Sequence, residues 1–385
     1  TTSMVRPTPV VSPIPMGAPV LTGGAPTMSM MALGMKIGFA ALGKAFRKLK
    51  KLKKKRLKSK KPKKVKGKAK KNKPCGTAAH PVDVVTGACV DEYVDFTSPG
   101  ALPVEWRRYY DSGASGVDGP VGKGFRHEYE RTLERVPDGY RYTDQTGETT
   151  DFAVFEDGQN VLYSDGLTLR RRHSDDYEVF PTGGPVMRFL FPEAGGPARF
   201  VSICADRHTI ELSSDRIGCL REVSDSAGNC YRMDYDKFGH LERITQLARS
   251  GADGGAVDVL RYEYDSDGRL KGMVDANGYR VSFEYDAGGR LTRIVDRRGY
   301  FFSYVYDADG RCVQTSGEDG LWEASFAYFP EQRMTEIAFG DGGKWRVSYD
   351  DYGIVTEQID PYGGSLSRTI GDSGQVVSEF DALGN

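Results

Sequence analysis

Tyr264-Asp265-Ser-Asp-Gly268-Arg269-Leu270 and Tyr285-Asp286-Ala-Gly-Gly289-Arg290-Leu291 stand 21 residues apart, and the phrase returns as Tyr306-Asp307-Ala-Asp-Gly310-Arg311 after another 21. Looser copies lie on both sides, at Tyr235-Asp236-Lys-Phe-Gly239-His-Leu241 and Tyr349-Asp350-Asp-Tyr-Gly353. A degenerate copy begins at Tyr328 with Gln332 in the glycine slot, and two weaker ones keep only Gly218 and Gly374, with Ser214 and Ile370 in the tyrosine slot. The anchors fall at 214, 235, 264, 285, 306, 328, 349 and 370, and the one long spacing is explained by an insertion near Leu247. A fixed period of this kind predicts a stacked or spiralling array, not a compact enzyme domain.

The chemistry of one period is legible. In Arg261-Tyr-Glu-Tyr264 and Ser282-Phe-Glu-Tyr285, aromatic and polar residues alternate, which puts the rings on one face of a strand. Asp-x-x-Gly then supplies a turn acceptor and a residue free to take positive φ, the requirement of a hairpin. Arg290-Leu-Thr-Arg-Ile294 forms the return strand, and a second Asp-x-x-Gly, as at Asp296 to Gly299, sends the chain out again. Eight periods predict about 16 strands and a wall about 77 Å long at ~4.8 Å per strand, curved but not closed.

Upstream of the repeats the composition changes twice. The chain has 385 residues with 53 Lys+Arg and 53 Asp+Glu, yet 21 of the basic residues and none of the acidic ones lie in positions 1–74. The neutral total therefore sums a cationic tail and an acidic body, each with room for its own partner. Residues 1–43 read as a Pro/Gly-rich segment and a short apolar helix, with Met28, Met31, Met35, Ile37 and Phe39 in its turns and a helical spacing that runs from Leu42 on through Phe46 and Leu49. Residues 44–74 are a Lys-rich linker, predicted to be disordered by self-repulsion. Residues 75–210 alternate apolar and polar with turn residues every 8 to 12 positions; Val104-Glu-Trp106, Tyr140-Arg-Tyr142 and Val161-Leu-Tyr163 read as strand fragments. Residues 211–385 hold the repeats. The fold class predicted is all-β.

Tyr-Asp-x-x-Gly-Arg-Leu at this period resembles the YD repeat of the Rhs (rearrangement hot spot) family. His80-Pro81-Val-Asp83-Val-Val-Thr-Gly87, Asp95-Phe96, Leu102-Pro-Val-Glu-Trp106-Arg-Arg-Tyr109-Tyr110 and Gly119-Pro120-Val-Gly122-Lys-Gly124-Phe125-Arg-His127 resemble the block that precedes the repeats in bacterial Rhs proteins. Phe125 stands where that family usually has Trp. The apolar segment after Gly24 and its Lys-rich continuation resemble the linker between a PAAR-like tip domain and the shell in type VI secretion effectors. The resemblance implies a hairpin spiral that forms the wall of a hollow shell around a C-terminal toxin, with release into a competing cell. It further implies a secretion-spike protein as partner through an upstream PAAR-like domain, a loading chaperone, and synthesis in the bacterial cytoplasm followed by contact-dependent export. The chain ends inside the second turn of a repeat, Asp381-Ala-Leu-Gly384-Asn385, and is expected to continue. The toxin's activity, and any cleavage motif, would belong to that continuation, so the resemblance carries no catalytic residue into this segment.

Other chemistry finds little footing in the residues. Asp265-Ser-Asp267-Gly268 and Asp307-Ala-Asp309-Gly310 open like calcium loops but lack the later carboxylate, and hairpin turns explain them. The five histidines show no HExxH pairing, and no GxSxG, P-loop or GxGxxG occurs. No metal or cofactor is predicted. The six cysteines include no CxxC pair and read as buried thiols, and no apolar run reaches the ~18 residues of a membrane helix. The basic run reads as a solvated linker toward a spike or an acidic shell mouth; nucleic acid and a membrane surface are its alternative partners. Rows of tyrosine on a sheet also suit carbohydrate, so a glycan-binding or cell-surface adhesion module is the alternative function, although packing explains the rows more simply.

Overall fold

Asp265 shows how the sequence makes a hairpin. Its Oδ1 accepts the backbone N–H groups of Asp267 and Arg269, both at 2.9 Å, and its Oδ2 accepts Nε of Arg269 at 2.7 Å. Gly268 donates its N–H to the Asp265 carbonyl at 3.2 Å with φ of +77°, the left-handed conformation that glycine adopts without a Cβ clash. Asp286 with Arg290 and Asp307 with Arg311 repeat the arrangement. Asp225, Asp275, Asp296 and Asp360 cap the opposite turns through the same pair of backbone donors.

The computed structural model of the chain describes residues 77–78, 81–248, 255–371 and 376–384. The apolar helix expected within 1–43, the linker 44–74, His80 and Gly374 lie outside the described residues. The body from Asn72 onward is one compact unit. It begins with the short pair β1 (Thr77–Ala78) and β2 (Val82–Asp83). Two small antiparallel sheets follow, one of β3 (Val90–Thr97), β4 (Glu105–Asp111) and β5 (Phe125–His127), the other of β6 (Thr132–Val136), β7 (Gly139–Thr143) and β8 (Thr149–Phe152).

The rest is a wall. Strands β9 (Val161–Ser164) to β29 (Val376–Asp381) run antiparallel in chain order, 21 strands against the 16 the repeats alone predict. The difference arises because the sheet passes through the 210/211 boundary without a break: the strands from Val161 onward in the preceding block join the same ladder. Among the described residues each strand pairs only with its chain neighbours and no pairing joins β9 to β29, so the wall is open.

One feature recurs that the sequence period does not announce. In the hairpin at Tyr264, Tyr264 pairs with Leu270 but Glu263 pairs with Gly272, which leaves Lys271 as an extra, bulged residue. The register shifts at the equivalent place at Ser214, Tyr235, Tyr285, Tyr306, Tyr349 and Ile370. Each bulge adds local twist and bends its strand, and repetition turns that bend into curvature. The degenerate copy is the exception: Tyr328 pairs with Thr335 without a shift, and its turn is the 3-10 segment Pro330–Gln332 followed by Arg333 at φ +51°.

The wall has unlike faces. Leu260, Tyr262, Met273 and Phe283 are buried on one, worth roughly 1.5–3 kcal/mol for each large side chain covered. The other carries cross-strand ion pairs such as Arg280 with Glu263 and Arg346 with Glu336, each worth only about 0.2–1 kcal/mol. The N-terminal sheets cover the apolar face: Tyr140 and Tyr142 of β7 meet Tyr177 and Phe189 of the wall, while Phe96 meets Tyr231 and Phe125 meets Phe283.

Candidate functional site: the clasp between the N-terminal block and the repeat wall

The motif residues first lock the repeats to one another. The Tyr285 hydroxyl donates to the carbonyl of Leu270 at 2.7 Å, and Tyr306 donates to Leu291 at 2.9 Å. Tyr235 reaches Leu220, Tyr264 reaches Leu241, and Tyr328 reaches Cys312 in the same way. Each arginine, held by its own aspartate, lies over the next tyrosine: Arg269 over Tyr285 at 5.6 Å, Arg290 over Tyr306 at 5.0 Å, Arg311 over Tyr328 at 5.3 Å. In the periods that begin at Tyr264, Tyr285 and Tyr306, tyrosine, aspartate and arginine thus form one unit that bonds backward through the hydroxyl and stacks forward through the guanidinium. Asp265 and Asp267 are both engaged by Arg269, and Asp307 and Asp309 by Arg311. Asp236 and Asp350 cap their turns without an arginine, and Gly239, Gly289, Gly310 and Gly353 all take positive φ.

The N-terminal block then runs along the rim made by these turns. Backbone N–H groups of Leu241, Leu291 and Cys312, which occupy the same slot in the motifs that begin at Tyr235, Tyr285 and Tyr306, donate to the Pro120 carbonyl at 2.6 Å, the Tyr110 hydroxyl at 2.7 Å and the Gly87 carbonyl at 2.8 Å. Lys123 donates its N–H to the Gly268 carbonyl, and Thr335 donates its hydroxyl to the Val84 carbonyl. Two glycines permit this approach. A Cβ on Gly122 (φ +90°) would stand 3.0 Å from the Leu270 nitrogen, and one on Gly87 (φ +73°) would stand 2.5 Å from the Arg311 Cβ. Around them, Pro81 accepts the Val90 N–H, Asp83 caps Val85 and Thr86, and Gly119 accepts the Gly122 N–H. Gly124 turns at φ +75°, and Tyr109 donates its hydroxyl to Glu128.

At the centre is a buried polar knot. The register of β3 against β4 jumps from Val94 opposite Arg107 to Phe96 opposite Trp106, so Asp95 is a bulged residue turned inward. Its carboxylate holds Arg108 through two hydrogen bonds of 2.5 and 2.9 Å, with 4% of Asp95 and none of Arg108 exposed. Tyr262 of the wall donates to Asp95 at 2.5 Å and accepts from Trp106 Nε1 at 2.9 Å. The guanidinium lies 5.2–5.4 Å from the ring centres of Tyr93, Phe125, Tyr262 and Phe283. Burial opposes the charge on Arg108, but Asp95 outweighs it and lifts the guanidinium above its ordinary value. Burial, and then Asp95, raise Tyr262 well above the usual phenol range.

His127 stacks on Trp106 with centroids 4.7 Å apart, and its Nδ1 accepts the Tyr129 N–H. Burial, assisted by Arg126, pulls it down to about 3, so the ring is neutral. Glu130, whose carboxylate accepts the His127 N–H at 2.6 Å, is pushed up to about 7 by burial. Asp95 stood out in the sequence only as part of the Asp95-Phe96 signature of the block, and Arg108 and Tyr262 only inside longer stretches, with no buried pairing expected of any of the three. A charged pair on adjacent strands, one member followed by Phe96, is the only signal that marks them. Of the residues that were singled out, the structure brings Trp106 and His127 to this knot, and sets Gly87, Pro120 and Gly122 along the rim.

Two family models match separate stretches of the chain. The model described as "Domain of unknown function (DUF6531)" matches residues 79–152, and the model "RHS Repeat" matches residues 264–300 and 289–321. Double-stranded DNA deaminase toxin A of Burkholderia cenocepacia (strain H111) is 26% identical over 227 residues, which are 53% of this chain and 14% of that protein. Among solved structures, the TcdB2-TccC3-Cdc42 crystal structure aligns over 78% of this chain and 23% of its own, at 10% identity and a TM-score of 0.34. The Photorhabdus luminescens Tc holotoxin pore aligns over 77% and 15%, at 13% identity and the same TM-score of 0.34. The chain thus spans less than a quarter of each of these relatives. The period, the bulged Tyr-Asp-x-x-Gly-Arg hairpins and the matched repeat model agree that the chain carries Rhs/YD repeats.

Proposed function

We propose that this chain forms part of the wall of an Rhs-type toxin shell, which encloses a C-terminal toxin domain and delivers it in competition between bacteria. The observation that carries this reading is the open 21-strand wall, whose hairpins are tied to their neighbours by tyrosine hydroxyls and curved by a bulge at one fixed motif position. A sheet built so is stiff along its length and bends in a regular sense, as a container wall must. The segment itself serves as structure. Export on a secretion spike through a PAAR-like domain and loading by a chaperone belong to the same proposal, with nucleic acid or a membrane surface as alternative partners of the Lys-rich tail. The motif tyrosines give the glycan-binding alternative less support, since their hydroxyls already bond backbone carbonyls.

The test is protease protection in the full-length natural protein. A downstream domain enclosed by the wall survives protease doses that digest the same domain expressed alone, and loses that protection when the shell is unfolded by denaturant. Equal digestion rates in both settings would overturn the enclosure reading, and selective retention on a glycan array would favour the adhesion module.

A further inference from the structure

The motif places a cation after the turn glycine at Arg269, Arg290 and Arg311, and in each case its Nε meets Oδ2 of its own aspartate at 2.7–2.8 Å while the guanidinium covers the following tyrosine. At the Tyr235 repeat the same slot holds His240. Its ring stacks on Tyr264, with centroids 4.7 Å apart and planes 26° apart, as the arginines stack on their tyrosines. Nδ1 lies 3.5 Å from Oδ2 of Asp236, its own turn aspartate. Nε2 lies 3.0 Å from Oδ1 of Asp118, in the N-terminal block, and His240 is only 6% exposed. This is also where the block grips the rim through the Pro120 carbonyl and the Leu241 N–H.

Both ring nitrogens therefore face carboxylate oxygens. A neutral imidazole carries one N–H and one lone pair, so it satisfies one carboxylate and turns a lone pair toward the other; the imidazolium donates to both. The titratable and charged groups facing the ring are Asp118 from the block, Asp236 from its own turn and the phenol of Tyr264 from the next hairpin. The adjoining turn presents backbone at Gly268, its own Asp265 and Asp267 being engaged by Arg269. We propose that His240 is a protonation-dependent latch, which fastens the 112–124 segment of the N-terminal block to the repeat wall when charged and loosens it when neutral. Where sister repeats use a permanent guanidinium within the wall, this one joins wall to block with an imidazole, which can gain or lose its charge. The sign follows from the two facing carboxylates: the latch is closed when the ring is protonated and opens as the pH rises and the ring becomes neutral.

The experiment is hydrogen exchange of the Leu241 amide in the whole chain between pH 5.5 and 8, corrected for the intrinsic pH dependence of exchange. In the unaltered protein, protection of this amide should fall about 5- to 10-fold toward high pH, equal to roughly 1–1.4 kcal/mol. His240→Arg should hold it protected at both ends, and Asp118→Asn should remove the pH dependence while leaving the Leu291 amide unaffected. The same pH dependence in the unaltered protein and in Asp118→Asn would overturn the proposal. So would pH-independent protection in the unaltered protein. If His240→Arg fails to fold, Asp118→Asn alone still decides between these outcomes.

Discussion

Replacing Asp95 by Asn keeps the shape of the knot and removes its negative charge. Arg108 is then left without a counter-charge at a position with no exposure, and breaking a buried pair from one side costs about 3–5 kcal/mol. The amide offers one oxygen where the carboxylate's two accept from Nε and Nη2 of Arg108 and from the Tyr262 hydroxyl, so at least one donor also loses its partner. About 4 kcal/mol is the combined expectation. With a urea slope near 3 kcal/mol per molar, the upper end for small proteins, the unfolding midpoint should fall by about 1.3 M.

The double variant Asp95→Asn with Arg108→Met tests the cause. Methionine fills part of the space among Tyr93, Phe125, Tyr262 and Phe283 without a charge, so the double variant should be more stable than Asp95→Asn alone, with a coupling of at least about 2 kcal/mol. Urea melts followed by tryptophan fluorescence are suited to the measurement because Trp106 belongs to the knot. A midpoint shift under about 0.3 M for Asp95→Asn, or strictly additive single effects, would show that the clasp is held by apolar packing and that the ion pair is incidental.

Removal of one motif hydroxyl, as in Tyr285→Phe, should cost about 1 kcal/mol, because the Leu270 carbonyl still pairs poorly with solvent; thermal melts of Tyr285→Phe, Tyr306→Phe and the double variant should show near-additive losses. Gly122→Ala and Gly299→Ala separate conformation from contact: both glycines sit at φ +90°, but a methyl at Gly299 meets open space while one at Gly122 meets the wall backbone, so Gly122→Ala should lose clearly more than the ~1–2 kcal/mol that left-handed backbone alone costs. Two buried groups pull the pH profile in opposite senses. The folded chain refuses a proton at His127, held at about 3 against an ordinary 6.5, so this group adds stability as the pH rises between those values; it retains one on Glu130, at about 7 against 4.5, so that group removes stability across its own window. Midpoints measured from pH 4 to 8 should therefore decline less toward acid in His127→Phe, and less toward neutrality in Glu130→Gln.

How much of this was open to sequence reasoning depends on how local the physics is. Tyr264 through Leu270 declare their hairpin because Asp265, Gly268 and Arg269 act on one another within four residues, and such a turn reads the same wherever it stands. The wall's extension back to Val161 was less legible, since Val161–Ser164 and its successors lack the motif and join the sheet only through alternation and pairing. Asp95 was harder again. Nothing in Tyr93-Val-Asp95-Phe96 marks the third residue as buried, because its inward turn follows from a bulge, and the bulge follows from how β3 must meet β4 over the wall. His240 lies between these cases. The repeat makes it conspicuous as the wrong cation in an arginine slot, but the reason to tolerate it is Asp118, 122 residues away in the chain. A repeat array specifies itself locally and is alike at every period, whereas the N-terminal block meets each period at a different place. One departure from the motif coincides with a side-chain contact of the block, His240 with Asp118, whereas the backbone N–H of the slot held by Leu241, Leu291 and Cys312 meets the block whichever residue fills it. The regular residues build the wall and offer the block their backbone, and the substitution at His240 records a side chain that lies against it.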